Sequence, residues 1–286
     1  MGPVAASSRL SSAERARRAA RGGASRSVPV PLLVPALIAV AFLVLPLVGL
    51  LLRAPWGHLG AALSGADATQ ALILSLWTAS TATAISLVIG VPLAWVLARS
   101  RFPGQRLLRA LVTLPLVLPP VVGGVALLLA FGRTGFVGRL LDSWFGLTIP
   151  FTPIAVVMAE TFVAMPFLII TVEGALRSAD QGFEEAAATL GATRMTVFRR
   201  VTVPMIAPSL GAGAVLCWAR ALGEFGATIT FAGSFPGQTE TMPIAVYYAL
   251  ENDPDAAIAL SLVLLLVSIV VLVSLRDHWL RRGTVA

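Results

Sequence analysis

The chain has 286 residues, of which 57% are hydrophobic and only 12% charged, whereas about a quarter of a soluble domain is charged. So few charges cannot cover a water-facing surface, which excludes a soluble globular protein and places the chain in a bilayer. The net charge of +7 comes wholly from arginine, and the single cysteine, Cys217, excludes an intrachain disulfide or a cysteine metal cluster.

Residues 1–27 are rich in Ala, Arg, Ser and Gly and lack apolar periodicity; they are expected to be a disordered, arginine-rich cytoplasmic tail. Residues 28–286 form one membrane domain. A helix crossing a hydrocarbon core of about 30 Å needs roughly 20 apolar residues. Six runs qualify: residues 31–52, 71–98, 107–131, 151–172, 205–231 and 256–275. The first follows a basic lead, but its apolar stretch is too long for a signal sequence, so it reads as a retained helix. The fold class is therefore all-α: a polytopic helical membrane protein with six transmembrane helices.

Arginines orient these helices. The tail carries Arg9, Arg15, Arg17, Arg18, Arg21 and Arg26; the second loop Arg99, Arg101, Arg106 and Arg109; the fourth Arg177, Arg194, Arg199 and Arg200. Arg276, Arg281 and Arg282 follow the last span, while the alternate loops hold only Arg53, Arg133 and Arg139. By the positive-inside rule both termini and the fourth loop are cytoplasmic. Basic residues at membrane boundaries point to anionic lipid headgroups and not to nucleic acid. His58 and His278 fall in different predicted compartments, so no histidine metal site is expected.

Several spans contain helix breakers. Pro35, Pro46, Pro92 and Pro166 are single; Pro115, Pro119 and Pro120, followed by Gly123 and Gly124, are a cluster. In lipid the freed backbone groups need protein or water, so such a cluster points to a pathway-lining or hinge segment. Pro92 alone needs no more than the ordinary tolerance of membrane helices for proline. Ser209 and Gly213, with Gly211 between them, form a small-residue face suited to close helix approach. Glu160, Arg220 and Glu224 are charged at depth, where such groups tend to pair or mark a pathway. Arg220 and Glu224 are four apart and share a helix face. At about 1.5 Å per residue all three reach a similar level. Two readings stand: a polar lining in which Arg220 attracts an anion, or a structural ion pair. Glu173 and Arg177 read as an interfacial pair.

The fourth loop carries Glu184-Glu185-Ala186-Ala187-Ala188-Thr189-Leu190-Gly191 and, further on, Val201-Thr202-Val203-Pro204. Glu184 and Glu185 suit a helix N-terminus, and Gly191 suits a sharp change of direction. Arg199 and Arg200 suit the last turn of a helix that Pro204 is expected to stop. This helix–glycine–helix pattern resembles the cytoplasmic coupling loop of ABC importer permeases. Leu222-Gly223-Glu224-Phe225-Gly226-Ala227-Thr228 is similar to a segment of molybdate and sulfate importer permeases. With Leu116–Gly124 and Pro236–Pro243 added, the resemblance is strongest to the molybdate branch, and it runs from about residue 30 to the end.

The resemblance implies a homodimer in the bacterial cytoplasmic membrane, with two cytoplasmic P-loop ATPase subunits and an external oxyanion-binding protein. ATP and Mg would bind the ATPase partner, leaving this chain without cofactor or enzymatic activity; it has no G-x-x-x-x-G-K-[ST]. Glu184, Glu185, Ala186, Ala187, Gly191 and Pro204 would couple to the ATPase. Pro119, Pro120, Gly123, Gly124, Glu160, Arg220, Glu224 and Thr228 would line the pathway. Glu240, Tyr247 and Glu251, in an acidic outer loop whose residues 244–250 suit a short interfacial helix, would dock the binding protein. Glu160 departs from the family pattern, where an uncharged polar residue is expected. The alternatives are a sulfate or tungstate permease, or an ion-coupled secondary transporter using Glu160 and Glu224, in which the coupling segment would have no purpose.

Overall fold

The computed structural model describes residues 30–57, 59–60 and 65–280, and every regular element among them is helical. The tail 1–27, His58, Arg281 and Arg282 lie outside the described residues. The chain divides into two units, residues 1–52 and 53–286. In the first, α1 (Val30–Leu52) is an apolar helix that contains Pro35 and Pro46 without breaking, and nearly all its side chains are exposed. Such a surface suits hydrocarbon and not water.

Three long helices make the centre of the second unit. α2 (Ala66–Arg99) packs along α6 (Pro153–Ser178), and α9 (Val203–Leu222) packs against both. Small residues let the backbones approach. Ala79, Ala82 and Ala94 are buried with Leu168, Ile169, Cys217 and Ala221. A Cβ at Gly90 would lie 3.3 Å from Ile169, and one at Gly213 would lie 3.1 Å from Leu168. The small-residue face expected near Gly213 is therefore a contact with α6.

The expected third span is two half-helices, α3 (Gln105–Val117) and α4 (Pro120–Phe131), bent by 118°. Their 13 and 12 residues reach only about 20 and 18 Å at 1.5 Å per residue. The cause is local. A residue before proline is pushed out of the helical region, and Leu118 and Pro119 both precede a proline. Each takes an extended ψ of 133°, and two such residues in succession turn the chain instead of kinking it. A short helix, α5 (Phe136–Phe145), follows. Counting the bent pair as one, up to six spans remain.

The fifth span differs as well. One continuous helix runs from Arg194 to Leu222, comprising α8 (Arg194–Val197), a π-helical turn (Phe198–Thr202) and α9. Pro204 does not stop it. A helical proline lacks its N–H and crowds the carbonyl four residues back; the wider π turn placed just before Pro204 relieves that conflict. The helix ends instead at Leu222, and α10 (Gly226–Phe231) begins after a break. α11 (Met242–Asn252) covers residues 244–250 as expected. Its Met242 and Ala245, however, pack on Ala71 of α2 and Leu260 of α12 (Pro254–Leu280), so its apolar face meets protein.

Candidate translocation and coupling sites

The two interrupted spans meet at their breaks. α4 packs on α10, and the approach is close enough to demand glycine on both sides. A Cβ at Gly124 would lie 2.7 Å from the Ala227 carbonyl oxygen and 2.7 Å from Thr230 Cβ; one at Gly226 would lie 2.8 Å from Pro120 Cβ. Gly123 faces the Phe162 ring at 3.1 Å by the same measure. Pro119 and Pro120 are exposed, and Gly123 and Gly124 are buried.

Glu224, only 1% exposed, spans the gap between α9 and α10. Its Oε2 pairs with Arg220 Nη2 at 2.6 Å, and its Oε1 accepts from the Ala227 N–H at 2.8 Å. A broken helix leaves backbone N–H groups without partners, and this carboxylate satisfies one of them. The i, i+4 pair expected from the sequence is thus present, with a capping role that spacing alone did not reveal. Arg220 does not reach Glu160. Glu160 Oε1 instead accepts from Thr78 Oγ1 of α2 at 2.9 Å, while its Oε2 is buried without a hydrogen-bond partner among the described residues. Thr228 is fully buried, and its hydroxyl likewise has no hydrogen-bond partner there. The sequence signal for Thr78 is the run of hydroxyl residues along α2, of which Ser75, Thr78, Thr83 and Ser86 prove buried. Of these, Ser75 Oγ accepts from the Met242 N–H at 2.7 Å and so fixes the start of α11.

At the other end lies a helix–glycine–helix segment. α7 (Gly182–Thr189) opens with Glu184 and Glu185 in its first turn, where acids favour the helix dipole. Gly191 has φ +84°, a left-handed conformation that turns the chain. Thr193 then caps α8 by accepting from the Thr196 N–H. The two acids part company. Glu184 is half-buried and its Oε1 accepts from Arg99 Nη2 at 2.9 Å and Thr202 Oγ1 at 3.0 Å. Glu185 and Ala186 are exposed, Ala187 is half-buried and Pro204 is exposed. Phe183, Leu190 and Met195 present large apolar side chains outward beside them, Leu190 being 89% exposed. Nearby, Glu173 pairs with Arg177 at 2.9 Å, as expected, and also with Arg109 of α3 at 2.8 Å.

On the segment between α10 and α12, Glu240 is half-buried and accepts from Ser234 Oγ at 3.1 Å. Tyr247 and Glu251 are exposed on α11, and the Tyr247 ring lies 5.2 Å from that of Phe225 at the α9–α10 break.

Long apolar helices, two of the expected spans being interrupted, with a polar helix–glycine–helix segment between α6 and α9, define a multi-span helical membrane protein. The chain belongs to the family described as the binding-protein-dependent transport system inner membrane component, which matches residues 90–284. It is 50% identical over 237 residues to the molybdenum transport system permease protein ModB of Mycobacterium tuberculosis, covering 83% of this chain and 89% of the relative. It is 36% identical over 245 residues to the sulfate transport system permease protein CysT of Salmonella typhimurium, covering 84% and 88%. Its fold matches a chain in the crystal structure of a bacterial alginate ABC transporter in complex with an alginate pentasaccharide-bound periplasmic protein. That match has a TM-score of 0.71 at 20% identity and covers 90% of this chain and 94% of the other.

Proposed function

We propose that this chain is the transmembrane subunit of an ATP-driven importer that carries molybdate across the bacterial cytoplasmic membrane by alternating access. The observation that carries this is the 50% identity to a molybdenum permease over 83% of the chain. Both termini and the α7–α8 segment face the cytoplasm, in keeping with the arginine distribution. The working unit is a homodimer with two P-loop ATPase subunits, which hold ATP and Mg, and an external oxyanion-binding protein. Lipid surrounds it, nucleic acid has no part in it, and the chain itself needs no cofactor.

The geometry supports a physical division of labour. Glu185, Ala186 and Gly191, with the exposed apolar Phe183, Leu190 and Met195, suit docking on the ATPase. Nucleotide-driven displacement of that surface would move α8 and the continuous helix behind it, which ends at the α9–α10 break. There Pro119, Pro120, Gly123, Gly124, Arg220, Glu224 and Thr228 gather two unwound segments at membrane depth, where irregular backbone belongs beside protein or a water-filled path. Arg220 is partly exposed and already paired, so it offers a passing dianion weak attraction, and weak binding lets an ion leave. Glu240, Tyr247 and Glu251 would receive the binding protein.

A sulfate permease is the second reading, favoured by the 36% identity to CysT. Uptake of radiolabelled molybdate into vesicles with ATP inside, and with the cognate ATPase and binding protein present, separates the two. ATP-dependent uptake blocked by tungstate but not by excess sulfate is expected. Equal competition by sulfate would remove the molybdate assignment, and uptake following a proton gradient without ATP would overturn the importer.

A further inference from the structure

We propose that Arg99 and Thr202 are positioning residues of the coupling step, gripping Glu184 so that a displacement of α7 reaches α2 and α9 together. This inference rests on the functional reading above and adds to it two residues outside the helix–glycine–helix pattern.

A single carboxylate oxygen joins three elements. Glu184 Oε1 accepts from Arg99 in the last turn of α2 and from Thr202 in the π turn that leads into α9. The Arg99 side chain is 8% and that of Glu184 17% exposed, and Thr202 is 1% exposed, so both grips are largely withdrawn from water, where charge-assisted hydrogen bonds are short and stiff. A second rung lies one helical turn away on each side. Trp95, four residues before Arg99, meets Phe198, four residues before Thr202, edge-to-face at 6.2 Å. The end of α2 and the entry to α9 are thus held at two levels, one aromatic and one polar, with Glu184 wedged into the polar one.

Among the described residues Arg99 has no competing grip. Its Nε and Nη1 are buried without hydrogen-bond partners among the described residues, beside a cavity of about 560 Å³ lined also by Ser100, Glu185, Ala188 and Arg194. Glu185, by contrast, is exposed. α7 therefore turns one acid outward to a partner and the adjacent one inward to the bundle. Movement imposed on the outward face has a direct polar route into two spans at once.

The test uses the complete importer, reconstituted in proteoliposomes, with radiolabelled molybdate uptake and ATP hydrolysis measured on the same sample. Arg99→Gln is expected to lower molybdate moved per ATP by about fivefold or more, the range of ordinary coupling energies, while the ATPase subunit still co-purifies. Thr202→Val, which keeps shape and removes the donor, should lower the ratio less. Exchanging the charges (R99E with E184R) should restore most of it, which a merely local stability defect would not allow. A wild-type ratio in both single variants would overturn the proposal, as would a loss that the exchanged pair leaves uncorrected. Should Arg99→Gln fail to accumulate, Thr202→Val decides alone. An unsubstituted complex that hydrolyses ATP without moving molybdate would instead overturn the functional reading, before any variant is made.

Discussion

The junction at the α4–α10 breaks and the junction at α7 are both interruptions of helix, yet they are held by opposite means. At the breaks, backbone lies against backbone through Gly124 and Gly226, and Glu224 closes the gap with an ion pair and a backbone hydrogen bond, almost wholly out of solvent. At α7, side chains converge on one oxygen of Glu184 while Glu185, Phe183 and Leu190 remain exposed. An interruption within hydrocarbon has to satisfy its own polar groups, because no water is there to do so. One at the water boundary can leave groups free for a partner. The first junction should therefore fail through stability and the second through coupling.

The sharpest way to break that contrast is at Glu224. Glu224→Ala strands Arg220 and the Ala227 N–H together, and removing one member of a buried pair costs about 3 to 5 kcal/mol. Arg220 is 28% exposed, which places the loss toward the lower end. Thermal melting of the purified complex should show the largest fall of any variant considered, with uptake lost in proportion to folded protein. Glu224→Gln keeps an acceptor for Ala227 and should recover part of the loss. If Glu224→Ala melts like the wild type but transports poorly, the carboxylate serves the pathway and not the junction.

Much of this was legible in the sequence, and the parts that were not share a physical reason. Apolar run length located α2, α6 and α12, and Gly191 marked a turn that does carry a positive φ. The Arg220–Glu224 pair followed from their spacing of four. Contacts between distant segments did not follow. Thr78–Glu160 and Arg99–Glu184 join residues 82 and 85 positions apart, and no helical periodicity encodes them. The prolines were read unevenly. Pro119 and Pro120 read as a pathway-lining or hinge segment, and the chain does break there, but two pre-proline positions in succession turn it through 118°, further than a hinge within one span suggests. Pro204 read as a stop, although the π turn ahead of it lets the helix continue. The glycine-flanked break at Gly223–Phe225 escaped notice because Leu222–Thr228 contains no proline and is apolar on both sides.

One glycine from each junction, Gly124 and Gly191, separates packing from conformation. Gly124 has ordinary helical backbone, and its neighbours leave no room for a side chain, so harm there should grow with size. Gly124→Ala already forces a shift, and Gly124→Val should destabilise the complex by about 2 kcal/mol in a melting measurement, as overpacking does. Gly191 is the reverse case: its φ of +84° is unfavourable for a side chain, yet a Cβ there meets nothing within 4 Å. Gly191→Ala should cost about 1 to 2 kcal/mol of local strain, and Gly191→Leu no more than that. Gly191→Asn, which tolerates the left-handed region, should lie closer to the wild type than either. The readout for this smallest effect is molybdate moved per ATP, since α7 can reshape without melting the bundle. A ratio that falls with side-chain size at Gly191 would mean that a partner surface presses on that glycine; a ratio set by backbone preference alone keeps it a turn.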